Sequence, residues 1–260
     1  MQISFFDIHS HLNIAPLSER VDELVDRLKD ECVGTIVVGV DLETSKKACE
    51  LAEKYDNIWA CIGMHPADNL KEEFDADQYR TLAALPKVVA IGECGLDYFR
   101  GKSADMIARQ KEVFEKQIAI AKEFRKPLMI HARPSKDTAD AYEDVLDILE
   151  KHESVHAHFH FFVGSVEIAK RALARGFTFS FDGPITFSSD YDEVIKMLPL
   201  ENIMLETDAP FAAPAPYRGK TCEPWMVVEM YKKVAELKNL SLEGVQKQVA
   251  ENAKRVFDLG

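Results

Sequence analysis

Short apolar runs alternate with amphipathic stretches along the whole chain, and this alternation limits the fold more than any other property of the sequence. The runs lie at 4–9, 35–40, 58–63, 88–93, 127–131, 155–161, 177–181 and 203–206. Between them, helical patterns cover about 19–31, 44–55, 76–84, 105–125, 138–151, 165–175, 189–197 and 224–237. In the longest of these, Ile107, Phe114, Ile118 and Ala121 recur at helical spacing and suit a helix packed on a sheet. A last helix is expected near 242–250, with Ser241 as its N-cap. Eight strands alternating with eight helices in 260 residues predict an α/β fold, the closed (β/α)8 TIM barrel. A doubly wound sheet is the competing arrangement, but the chain has no G-x-G-x-x-G turn to support it. No linker, repeat or low-complexity segment interrupts the pattern, so one domain over 1–260 is expected. The proline-rich stretch 210–216 follows the eighth strand and reads as a loop over the site.

Composition narrows the setting. Apolar content of 47% and charged content of 29% suit a soluble enzyme, and no apolar span approaches the length of a membrane helix. The chain enters its first strand without the basic and apolar segments of a secretory signal. Its five cysteines are odd in number, scattered and free of any C-x-x-C, which points to free thiols in the cytoplasm. A net charge of −12 argues against a broad basic face for nucleic acid. It leaves room for a metal-dependent nuclease, in which cations hold the phosphate locally.

In a (β/α)8 barrel the active site is built at the C-terminal ends of the strands. The first run ends in Asp7-Ile8-His9-Ser10-His11, where two imidazoles two residues apart on a strand share a face and can grip one ion. The third leads into Gly63-Met64-His65-Pro66, and the fourth into Gly92-Glu93-Cys94-Gly95-Leu96-Asp97-Tyr98. The fifth ends in His131-Ala132-Arg133, the sixth carries His156, His158 and His160, and the eighth ends in Glu206-Thr207-Asp208. Such a set is too large for one tetrahedral ion. Two divalent metals sharing a bridging carboxylate is the economical reading.

These motifs, in this order and across nearly the whole chain, resemble the TatD family of metal-dependent deoxyribonucleases, within the wider amidohydrolase-like barrels. The resemblance rests on D-x-H-x-H at 7–11, G-M-H-P at 63–66, G-E-C-G-L-D-Y at 92–98 and H-x-R at 131–133. It continues through H-F-F-V-G-S at 160–165, E-T-D-A-P at 206–210, P-Y-R-G-K at 216–220 and the terminal helix around 252–257. It implies that His9, His11 and Asp208 bind one metal and that His131 and His160 bind a second. Glu93 would bridge the two. Asp208 is also the candidate to orient or deprotonate the attacking water, and His65, Tyr98, Arg133 and Arg218 are candidates for holding phosphate. The implied activity is 3′ to 5′ exonuclease cleavage of DNA, on single-stranded or short ends.

Strand alternation alone leaves His156, His158 and His160 on one face. His160 is favoured as ligand because it lies nearest the strand's C-terminal end and aligns with the family motif, with His156 and His158 packed around it. Glu206 is expected to support the ligands, and Cys94 and Cys222 to be inert thiols. Three places depart from the family pattern: Ser10 and Asn13 around the histidine pair, Phe161 and Val163 after His160, and Thr221-Cys222 before Glu223-Pro224. The last removes a positive charge from the substrate loop. The competing function is a two-metal amidohydrolase-like enzyme for an amide, lactone, ester or aminoacyl-tRNA. Many of those relatives carry a carbamylated lysine where Glu93 stands, which favours the nuclease. A non-catalytic metal-binding protein fits less well, since the ligand set is complete. Zinc, magnesium and manganese all remain open as the metal, and a monomer is expected.

Overall fold

Eight parallel strands follow one another around a single sheet in chain order, as the alternation predicts. The structure is a computed structural model that describes residues 3–68, 72–101, 103–152 and 154–259. Its strands are β1 (Phe5–Ser10), β2 (Val33–Val38), β3 (Ile58–Ile62), β4 (Val88–Asp97), β5 (Leu128–Arg133), β6 (Ala157–Phe159), β7 (Thr178–Phe181) and β8 (Ile203–Leu205). The helices between them are α1 (Val21–Asp30), α2 (Leu42–Lys54), α3 (Ala76–Ala83), α4 (Ala104–Phe124), α5 (Asp140–Leu149), α6 (Val166–Leu173) and α7 (Asp192–Met197). After β8 come α8 (Val227–Lys238) and α9 (Leu242–Phe257). Side-chain caps mark several starts where the sequence offers one. Asp41, Ser103, Ser165 and Ser241 each accept a hydrogen bond from the backbone N–H three residues on.

The seam between β1 and β8 nearly closes the barrel. Ser10 bridges Ala209, the His11 amide donates to the Ala209 carbonyl at 2.7 Å, and the Asp208 amide donates to the His9 carbonyl at 2.9 Å. Beneath them the buried Asp7 carboxylate accepts from the Thr207 amide (2.9 Å), the Thr207 hydroxyl (2.8 Å) and Thr35 (3.3 Å). The first residue of the D-x-H-x-H motif thus fastens strand one to strand eight and sets the histidines beside Asp208.

Two packed clusters account for the core. One unites the outer faces of the strands with the helices, through residues such as Leu24, Val37, Phe114, Ile130, Phe159 and Tyr231. The other fills the barrel interior at its N-terminal end, where Phe6, Ile8, Ile36, Trp59, Met129 and Met204 meet Ala253, Phe257 and Leu259. Asn252 ties this plug to the base of β8 by donating to the carbonyls of Leu200 (2.7 Å) and Ile203 (2.8 Å).

Element boundaries differ from expectation in a few places. β4 runs to Asp97 rather than residue 93, β6 spans only Ala157–Phe159, and the last helix continues to Phe257 because its far end buries the plug. The five cysteines are free thiols. Among the described residues, no helix is long and apolar enough to cross a membrane.

Candidate metal centre

Simple strand alternation would not aim the site residues correctly, and two bulges correct it. Along β1 the register with β2 slips: Asp7 pairs with Thr35 but Ser10 with Val37, three steps against two. Ile8 therefore packs inside the barrel while its neighbour His9 also turns inward, toward the mouth. Along β4, Ile91 pairs with Leu128 and Cys94 with Ile130, again three against two. That slip falls at Gly92-Glu93 and points the Glu93 carboxylate into the mouth. Gly95, at a φ of 130°, lets β4 pass so close to β5 that a β-carbon would sit 2.2 Å from the His131 carbonyl oxygen.

The side chains so aimed form two sets around Glu93. On one side, His9 Nε2 and His11 Nε2 lie 3.3 Å apart, and Asp208 Oδ1 is 3.6 Å and 3.3 Å from them. Glu93 Oε2 lies 3.5 Å from His9 Nε2 and 4.0 Å from His11 Nε2. Ligand atoms held by one tetrahedral ion stand ~3.3–3.6 Å apart when each bond is about 2.0–2.2 Å. Four of these separations match that edge, so the donor set fits a small divalent cation. On the other side, Glu93 Oε1 lies 2.8 Å from His131 Nδ1 and 2.9 Å from His160 Nε2, which are 3.4 Å from each other. His65 Nε2 is 3.5 Å from the same oxygen. Glu93 thus offers each oxygen to a different group of imidazoles.

A surrounding layer holds the rings in place. His11 Nδ1 bonds the Val38 carbonyl at 2.9 Å, which leaves Nε2 for the site. His160 Nδ1 meets Glu206 at 3.3 Å, and Glu206 is fixed in turn by the Phe161 amide (2.8 Å) and the Ser180 hydroxyl (2.6 Å). His131 Nε2 meets the buried Asp97 carboxylate at 3.2 Å. Such carboxylate–imidazole pairs are how proteins orient metal-ligating histidines. His9 Nδ1 is buried with no partner among the described residues, its ring stacked on that of His160 at 4.1 Å.

The charges follow from this crowding. Burial works to raise the Glu93 carboxyl, but the imidazoles of His160, His65 and His131 outweigh it and hold it well below the usual range. Asp208 is likewise lowered by His11 and His9 against its burial. His160 and His131 are raised despite burial, His160 by Glu93 and Glu206 and His131 by Asp97 and Glu93. His65 is driven well down by burial and His9 is lowered by the same cause. The mouth therefore concentrates ionised carboxylates against imidazoles in a desolvated space. Histidine must give up its proton before a cation can take its place, so binding there would release protons.

Above the carboxylates opens a cavity of about 650 Å³ whose wall includes His11, His65, Glu93, Arg100, His131, Arg133, His160, Asp208 and Phe211. Seven of the ten expected site residues border it, and Tyr98, Arg218 and His9 do not. Tyr98 is buried and its hydroxyl donates to Asp144 at 2.6 Å, on α5 and away from the mouth, so its expected phosphate contact is corrected. Arg218 lies outside the cavity wall, with its guanidinium 4.0 Å over the Phe187 ring. His9 lies under the wall at the floor of the site. His156 and His158 bond Thr178 and Ser180 below the mouth.

Arg100, like Asp68 and Phe211, is a wall residue that sequence reasoning missed. Its Nε donates to Asp97 (2.7 Å), its Nη1 to Asp68 (2.6 Å), and its Nη2 lies 3.1 Å from His65 Nε2. Asp97 was passed over for a related reason. With β4 carried four residues further, from 93 to 97, its parity with Glu93 and Gly95 would have pointed to it.

Comparison with known proteins agrees with this geometry. A family model described as TatD related DNase matches residues 6–258. The chain is 43% identical over 258 residues to the uncharacterized metal-dependent hydrolase YabD of Bacillus subtilis, covering 97% of this chain and 98% of that one. It is 33% identical to the uncharacterized metal-dependent hydrolase MG009 of Mycoplasma genitalium, covering 98% and 99%. Among solved structures, the TatD homologue YjjV of Escherichia coli K12 superposes with a TM-score of 0.89 at 27% identity, over 99% of each chain.

Proposed function

Because the chain belongs to the TatD-related DNase family and is a metal-dependent hydrolase, we propose that it is a two-metal phosphodiesterase that shortens DNA from its 3′ end. The observation that carries this reading is Glu93, whose two carboxylate oxygens face separate imidazole groups, His9 and His11 on one side and His131 and His160 on the other. His9, His11 and Asp208 would hold one cation, His131 and His160 the other, and Glu93 both. When bound, two such cations supply Lewis acidity and offset the charge that builds on the attacking and leaving oxygens.

The chain's own residues do the rest. Asp208, held ionised by its imidazole neighbours, would orient the attacking water and take its proton at the carboxylate oxygen left free by the cation. Glu206 and Asp97 keep the His160 and His131 rings aimed inward. Arg133 and Arg100 line the cavity, where a guanidinium fork can grip phosphate oxygens, and His65 stands between Arg100 and Glu93. DNA, as single strands or short ends, is the proposed substrate, and zinc, magnesium or manganese the proposed metal.

The test is hydrolysis of single-stranded oligonucleotides labelled at the 3′ or the 5′ end. Metal-stripped protein is supplied again with Mg²⁺, Mn²⁺ or Zn²⁺. Stepwise shortening that releases the 3′ label first, needs metal and is lost in Asp208→Ala is the expected outcome. Absence of cleavage with every ion, while metal binds at the site, would overturn the reading in favour of an ester, lactone, amide or aminoacyl-ester hydrolase.

A further inference from the structure

Burial explains most large apolar side chains in this molecule, but six among the described residues are exposed: Leu85, Phe99, Val163, Phe187, Phe211 and Leu240. Four of the six stand on loops that follow β4, β6, β7 and β8, at the end of the barrel where the carboxylates and imidazoles converge. Exposed apolar side chains scattered singly need no explanation, but four gathered around one cavity mouth mark a contact surface. Phe211 is the most exposed of the set at 56%, and its ring lies 6.2 Å from that of His11, directly beside the proposed metal ligands. The other two phenylalanines each carry an arginine. Arg133 lies 4.2 Å over Phe99, and Arg218 lies 4.0 Å over Phe187.

The position of these groups matters as much as their chemistry. Since the strands run in order around the barrel, the β4 and β5 ends that bear Phe99 and Arg133 face across the mouth from the β7 and β8 ends. Phe187 follows β7, and Phe211 and Arg218 follow β8. A ligand that crosses the mouth would meet a flat aromatic or guanidinium surface on each side of Glu93. The chain as a whole carries a net charge of −12, so arginines gathered at this rim stand out as sites for an anionic ligand. Flat rings beside cations, repeated along a path, suit a polymer of alternating flat bases and phosphates.

We propose that Phe211 and the two stacks Phe99–Arg133 and Phe187–Arg218 are base-stacking subsites that seat an unpaired nucleotide strand across the mouth, with its phosphate backbone against the arginines. This rests on the phosphodiesterase reading above and adds to it what the enzyme holds besides the phosphate. Stacking needs an open base face. A paired duplex offers such faces only at its ends, so the subsites favour frayed or single-stranded termini. They also set a minimum length, because both sides of the mouth must be filled for full affinity.

The test is equilibrium binding, by fluorescence anisotropy, of a 5′-labelled phosphorothioate oligothymidylate to the metal-loaded protein. The comparison ligand is an abasic strand of the same length and charge. The base-bearing strand is expected to bind about tenfold or more tightly than the abasic one, in keeping with base–aromatic stacking elsewhere. Phe99→Ala, Phe187→Ala and Phe211→Ala should each weaken the base-bearing strand by about fivefold or more and leave the abasic strand unchanged. Phe211→Tyr, which keeps the ring, should restore binding. Arg133→Ala and Arg218→Ala should weaken both strands. Equal binding of the two strands, or alanine variants that bind the base-bearing strand like the parent, would overturn the proposal. A separate failure is recognisable: strands that bind with the expected base dependence, yet whose ordinary phosphodiesters are never cut, would remove the nuclease reading and leave the strand-binding surface standing.

Discussion

His158 and His160 lie two residues apart at the end of the same strand and are almost equally buried, at 0% and 5% exposed, yet their surroundings make them opposites. His158 meets hydroxyls: Thr178 at 2.9 Å on one nitrogen and Ser180 at 2.8 Å on the other, with Phe257 of the plug edge-on to its ring at 5.6 Å. Burial drives its pKa well down, so it is neutral and fully bonded. His160 meets carboxylates instead, Glu206 and Glu93, and these raise it well above its ordinary value against the same burial. A buried histidine among hydroxyls is a finished piece of structure. One between carboxylates sits in a field that calls for a cation. The two layers are also joined, because Ser180 links His158 to Glu206 and Glu206 holds His160.

The largest effect should come from breaking the lower layer alone. Phe257→Ala removes the centre of the plug beneath Phe6, Trp59 and Met204 and should cost about 3–5 kcal/mol of stability. Urea denaturation would read that loss, while metal content and activity per folded molecule stay at the parent level. A parallel loss of metal from folded protein would show that the layers cannot be separated. A smaller effect tests the joint between them. Glu206→Gln keeps the shape of the side chain but removes the charge facing His160 Nδ1, so chelator competition should show metal affinity weakened by about 10–100-fold. Unchanged affinity would mean that His160 is aimed by packing alone, and the contrast with His158 would lose its meaning.

The same contrast explains what the sequence could reveal. The barrel was legible because eight alternations of apolar run and amphipathic stretch leave few other ways to bury the apolar faces. Convergence of His9, His11, Glu93, His131, His160 and Asp208 was legible too, since barrel topology brings every strand end to one mouth. The bulges at Ile8-His9 and Gly92-Glu93 were hidden, as periodicity assumes an unbroken register. Asp97 was hidden for a different reason, because the apolar run stops at residue 93 while β4 continues to 97. Tyr98 shows the converse error. Its place in a motif beside the site suggested a phosphate contact, but which way a ring turns is set by its partner, Asp144 on α5, far away in sequence. Arg100 escaped for the same reason, since its role depends on Asp68, Asp97 and His65 meeting in space.

Asp182 offers the finest division of the two layers, because it sits at their boundary. It follows β7, is only 1% exposed, and neither carboxylate oxygen has a hydrogen-bond partner among the described residues. Burial first, and then the charges of Glu206 and Asp208, push its carboxyl well above the ordinary value of about 3.8. The sign of the consequence is fixed. Between those two values the folded protein keeps a proton that the unfolded chain has lost, so the stability this group contributes is complete below about pH 3.8 and declines as pH rises. The decline is at most about 1.4 kcal/mol per pH unit and ends once the folded carboxyl itself ionises. Asp182→Asn has no proton to hold and escapes the decline. In metal-stripped protein the variant should therefore match the parent near pH 4 and exceed it by ~1–3 kcal/mol at pH 7, measured by urea titration at both values. Restoring the metals should narrow the gap, since nearby cations favour the ionised carboxylate of the parent. Parallel pH profiles for parent and variant would show that Asp182 is solvated like a surface carboxylate and belongs to the wet upper layer.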